Sequence, residues 1–124
     1  MRQLEIICKS EVRFKRFTPA AAWFLHVLDG MAETGGEGYP PQLVITSAND
    51  STHMEGSRHY MDEAWDLRSK NIHVAVKDLF RKRLEAMLNS HPVDKNKFTV
   101  LLENLGEDNE HFHIQVKKDY EFLS

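Results

Sequence analysis

The strongest constraint on the fold is a pair of short β patterns near the C-terminus. Phe98 to Glu103 reads FTVLLE, and His111 to Lys117 reads HFHIQVK, with the acid-rich turn NLGEDNE between them. Two such runs separated by a short polar turn predict an antiparallel hairpin. Side chains alternate along a strand. Phe112, Ile114 and Val116 therefore share one face, suited to a core, and His111 and His113 share the other. The domain has to be built on a sheet that is packed on one side and carries two adjacent imidazoles on the other. An isolated HxH is more often a pair of exposed strand histidines, so the pattern alone does not define a site.

The rest of the 124-residue chain supplies partners for that hairpin within one domain. LEIIC at 4–8 reads as a short strand. Thr18-Pro19 is a helix start, with Thr as N-cap and Pro at the first helical position. The largely apolar run after it predicts a buried helix over 19–33. LVIT at 43–46 is a β-branched, buried strand. The polar stretch 47–62 is loop, and 64–68 is a further strand. Val76, Leu79, Phe80, Leu84, Met87 and Leu88 recur at three- and four-residue spacing, which predicts an amphipathic helix over 73–89. His91-Pro92 stops it. The order gives an α+β domain, a small, mostly antiparallel sheet with flanking helices.

Composition narrows the function. A net charge of −3 argues against a general nucleic-acid binder, which usually carries a basic excess. No apolar run is long enough for a membrane span. The N-terminus lacks the apolar segment of a signal peptide, so the expectation is a protein that is cytoplasmic as synthesised. A single cysteine, Cys8, excludes an internal disulfide, and its apolar neighbours suggest a core position.

The stretch 57–68 reads SRHYMDEAWDLR and places His59 seven residues before Asp66. A catalytic zinc takes three nitrogen or oxygen ligands in a tetrahedral array and leaves the fourth position open. His59, Asp66 and His113 would supply such a set, provided that a loop over 57–63 folds His59 back over Asp66. HxxxxxxD alone is a weak signal. Together with HxH on a second strand it is a strong one.

Ser57-x-His59-x-x-x-x-Ala64-x-Asp66, followed by His111-x-His113, resembles the zinc D-Ala-D-Ala carboxypeptidases, the phage L-alanyl-D-glutamate endopeptidases and the hedgehog signalling domain. These are grouped with lysostaphin-type enzymes as LAS metallopeptidases. The resemblance covers about residues 43–118. It implies a hedgehog or D-Ala-D-Ala peptidase-like fold with Zn2+ on His59, Asp66 and His113, and His111 as a catalytic neighbour of the metal. It also implies a glutamate general base. Glu103, which closes the strand before HxH, is favoured; Glu110 and Glu107 are the alternatives. Ser57, Arg58 and Arg68 are candidate substrate contacts, because a guanidinium matches a carboxylate. One departure is Asp62, which stands where the family has glycine.

The activity implied is hydrolysis of peptidoglycan stem peptides, by a carboxypeptidase or an endopeptidase. A small monomer that is phage-encoded and released, or associated with a virion, would suit it. The competing expectation is a non-catalytic zinc-containing binding or structural module of the same fold. A third reading is an ordinary α+β domain with scattered histidines. For the remaining residues, His26 is expected at a core boundary and His73 and His91 at solvated helix ends. His53 is placed equally well in the cleft or in solvent. Trp23, Phe24 and Trp65 are expected in the core.

Overall fold

The computed structural model describes residues 5–10, 12, 18–36, 39–40, 42–48 and 64–117. Among the described residues, eight elements follow one another. They are strand β1 (Glu5–Cys8), helix α1 (Pro19–Thr34), strands β2 (Gln42–Ser47) and β3 (Ala64–Arg68), a single 3-10 turn (Val74–Val76), helix α2 (Lys77–Leu88), and strands β4 (Phe98–Glu103) and β5 (His111–Val116). The strands form one open sheet in the order β1-β2-β3-β5-β4. Among the described strands, β1 and β2 pair in parallel and the other three pairs are antiparallel. The expected α+β class and mostly antiparallel sheet are observed.

Local chemistry accounts for the helix limits. Thr18 accepts a hydrogen bond from the Ala21 amide at 3.1 Å, and Pro19 begins the first turn of α1. The helix ends at Gly35, whose φ of 63° suits glycine and whose amide donates to the Met31 carbonyl at 2.8 Å. In α2 the buried positions are Lys77, Phe80, Leu84 and Leu88, a narrower stripe than the periodicity suggested. Leu79 is 67% exposed, because it lies about 100° around the helix from Phe80.

Both helices cover one face of the sheet. Phe24 of α1 stacks on Trp65 of β3 with ring centroids 4.7 Å apart, and Phe80 of α2 meets Phe112 of β5 at 5.2 Å. Leu43, Ile45, Leu67, Phe98, Val100, Ile114 and Val116 complete that layer and are essentially inaccessible. Trp23, half-buried, packs against this core and donates from Nε1 to the Leu88 carbonyl at 2.9 Å, which ties the helices together. His26 is exposed on α1 rather than at a core boundary, with its ring tilted against Trp23. His91 is half-buried rather than solvated. It meets the Trp23 ring edge-on at 4.6 Å, and its Nδ1 accepts from the Asp94 amide at 2.9 Å. Cys8 is exposed rather than buried, because β1 is an edge strand.

The other edge strand, β4, is covered by side chains of α2 and of the residue that follows it. Asn89 donates to the Phe98 carbonyl at 3.2 Å and accepts from the Phe98 amide at 2.8 Å. Glu85 accepts from the Val100 amide at 2.8 Å, and Arg81 donates to the Val100 carbonyl at 3.2 Å. The outward backbone groups of Phe98 and Val100 are thus satisfied without another strand. Truncating the stacked Trp65 to alanine should cost about 3–5 kcal/mol. Denaturant unfolding of Trp65→Ala against the wild type would check this.

Candidate metal centre

The face of the sheet turned away from the helices carries the candidate residues. Their order follows from strand register. Asp66 of β3 lies opposite His113 of β5, which lies opposite Leu101 of β4. The row on one side of it is Arg68, His111 and Glu103, and the row on the other is Ala64, Gln115 and Thr99. His111, His113 and Gln115 turn their backbone polar groups toward β4, in phase with the Lys117 to Lys97 bond. Their pairs with β3 are therefore the non-hydrogen-bonded kind, in which facing side chains approach most closely.

Asp66, His111 and His113 form a group that could hold a metal ion, with one ligand atom from each all within 4.8 Å of one another. His113 Nδ1 is 3.0 Å, and His111 Nε2 is 3.8 Å, from Asp66 Oδ1. Ligand atoms around a tetrahedral ion at about 2.0–2.1 Å would lie ~3.3 Å apart. The two distances to Asp66 bracket that value, and the three ligand atoms lie within 4.8 Å of one another, so the side chains would close in to reach metal geometry. The three side chains are half-buried, at 15–22% exposure, enough to weaken competition from water while leaving access. Two nitrogens and a carboxylate suit zinc or a similar transition ion better than calcium or magnesium, which favour oxygen.

Each imidazole is oriented through its second nitrogen. His111 Nδ1 lies 2.7 Å from the Asn109 carbonyl, which can only accept, so this nitrogen carries the proton. His111 Nε2 then faces Glu103 Oε1 at 2.9 Å. His113 Nε2 lies 2.7 Å from Gln115 Oε1. The Asp66 carboxylate beside His113 raises the imidazole pKa above its ordinary value; partial burial opposes this, and the Gln115 oxygen adds to the rise.

The sequence-derived candidates separate on this frame. Asp66 and His113, two of the expected ligands, are brought together, with His111 beside them and Glu103 against His111. His59, Ser57 and Arg58 lie outside the described residues, as does His53. Arg68 lies opposite His111, on the wall of a cleft of about 320 Å³ that Asp66 and His111 also line. The same cleft carries charges of both signs, with Lys9 and Lys70 set against Asp108 and Glu110, and Lys70 lies 3.8 Å from Asp108. Gln115 and Asn109 were not singled out from the sequence. The two-residue spacing of Gln115 from His113 on a strand was the available signal.

Glu110 belongs to a different structure. Its carboxylate is buried, and accepts from Lys77 Nζ at 2.7 Å, from Ser69 Oγ at 2.5 Å and from the Gly106 amide at 3.1 Å. Burial alone would raise its pKa, but the Lys77 ammonium, the Ser69 hydroxyl and the Gly106 amide together hold it down at about 2. A carboxylate so satisfied is a weak proton acceptor, which favours Glu103 over Glu110 as a base. Glu107 is exposed in the turn, where its amide donates to the Asn104 carbonyl.

No protein-family model, curated protein or solved structure matches the chain. Among the described residues, no helix is long and apolar enough to cross a membrane.

The Glu110 clamp has a testable acid signature. Its pKa is lower in the folded state than the ordinary 4.5, so its contribution is present above pH 4.5 and is lost as pH falls toward about 2. That displacement corresponds to roughly 3 kcal/mol. In urea unfolding measured against pH, Glu110→Gln should be less stable than the wild type at neutral pH, with the gap closing between pH 4.5 and 2.

Proposed function

We propose that this protein is a zinc-dependent peptidase that hydrolyses peptidoglycan stem peptides, with the hedgehog or D-Ala-D-Ala peptidase-like fold that its motifs resemble. The observation that carries this reading is the pairing of Asp66 with His113 on neighbouring strands, one row from the His111–Glu103 pair. Asp66, His113, His111 and Glu103 thus lie on one face of the sheet. Arg68, on the wall of the adjoining cleft, would meet a peptide with a carboxylate near the scissile bond.

Asp66 Oδ1 and His113 Nδ1 would hold zinc, and the sequence motif supplies His59 as the third ligand. Bound zinc supplies a Lewis acid that activates water and polarises a carbonyl. Glu103 takes the proton of the attacking water and returns it to the leaving amine. His111, fixed by the Asn109 carbonyl, presents Nε2 beside Glu103; with Nε2 protonated as well as Nδ1, the imidazolium would steady the negative charge that develops on the carbonyl oxygen. Arg68 opposite His111 is placed to bind a substrate carboxylate.

Native mass spectrometry should find one zinc per wild-type chain and none on Asp66→Ala. A folded wild type that takes up no zinc when it is supplied overturns the proposal. Glu103→Gln should keep its zinc and lose about 10²–10⁴-fold in cleavage of stem-peptide fragments. A zinc-loaded wild type that cleaves none of them would instead support the non-catalytic metal module.

A further inference from the structure

We propose that Gln115 is a positioning residue for the metal centre: its side-chain oxygen fixes the His113 ring so that Nδ1, and not Nε2, is the ligand atom beside Asp66. This inference rests on the metal-centre reading above. Its basis is the geometry of a single ring. His113 Nδ1 lies 3.0 Å from Asp66 Oδ1, while Nε2 lies 2.7 Å from Gln115 Oε1. A neutral imidazole that ligates through one nitrogen carries its proton on the other, and a partner for that proton fixes both tautomer and ring plane. Gln115 is two residues beyond His113 on the same face of β5, in the row between Ala64 and Thr99.

The alternative orientation shows what Gln115 does. A half-turn of the ring about its bond to Cβ would exchange Nδ1 with Cδ2, and Nε2 with Cε1. Asp66 would then face a carbon with no lone pair, and Gln115 would face a C–H. The Nε2–H bond to Gln115 is lost in that orientation, so it holds the ring in the one that offers a nitrogen to the metal. A neutral amide does this without placing a further carboxylate next to Asp66 and Glu103. His111 follows the same principle with the opposite outcome. There Nδ1–H donates to the Asn109 carbonyl, and Nε2 faces the site. The two histidines of HxH would thus present different ring nitrogens, each selected by its own acceptor.

The test uses the full chain with zinc alone as the probe. Affinity is measured by competition with a chromophoric chelator, and the ligating nitrogen by ¹⁵N NMR of histidine-labelled, zinc-loaded protein. Gln115→Met, similar in volume but lacking the acceptor, should lose about 10–100-fold in zinc affinity. Gln115→Glu, which restores an acceptor oxygen, should bind within about threefold of the wild type or more tightly. The loaded wild type should show His113 coordinated through Nδ1 with Nε2 protonated. Coordination through Nε2, or a Gln115→Met variant that binds zinc as tightly as the wild type, overturns the inference and leaves the metal centre standing. The wild-type spectrum decides the matter even if Gln115→Met fails to fold. A wild type that binds no zinc overturns the metal centre itself, and the inference with it.

Discussion

The pairing of β3 with β5 is the constraint on which the rest of the molecule depends. It sets Trp65 against Ile114 and Leu67 against Phe112 on the helix side, and Asp66 against His113 on the face turned away from the helices. A slip of one residue would turn the imidazoles into the core and the aromatic rings into solvent. Burial of Trp65, Phe112 and Ile114 therefore fixes the position of the polar residues between them. The non-hydrogen-bonded geometry of the Asp66–His113 pair then brings a carboxylate and an imidazole within reach without any special loop.

The ends of these strands are fixed separately. Ser69 follows β3, Lys77 opens α2 and Gly106 lies in the turn between β4 and β5; all three converge on the Glu110 carboxylate. Gly106 has a φ of 82°, a conformation that favours glycine. His111 is the next residue after Glu110, so the clamp sets where β5 begins. Burying an ion pair is costly unless further hydrogen bonds satisfy it; the hydroxyl and amide bonds to Glu110 meet that condition.

Much of this was legible in the sequence because it depends on local periodicity. The helix cap at Thr18-Pro19, the strand at 64–68 and the hairpin strands all follow from alternation or helical spacing in their own residues, and they occur where those patterns fall. That His111 and His113 are neighbours was legible because two side chains on one strand face must be; Asp66 was joined to His113 only through the metal-ligand motif. Properties set by distant contacts were not legible. Nothing in LEIIC reveals that its strand lies at an edge, so the exposure of Cys8 could not be read. The burial of His91 depends on Trp23, and the fixing of Glu110 on Lys77, 33 positions away. Helical spacing alone could not separate Leu79 from Phe80, because the width of the buried stripe depends on what packs against it.

The side chains along β4 have a consequence for how the molecule meets other chains. An open sheet ordinarily offers two borders along which a foreign strand can extend it, and such borders are where aggregation by strand exchange begins. Asn89, Glu85 and Arg81 already occupy the outward peptide groups of Phe98 and Val100. An incoming strand would have to displace four hydrogen bonds there before forming its own. The C-terminal hairpin border of the sheet is thus closed as a template, on the side where the His111–Glu103 pair lies.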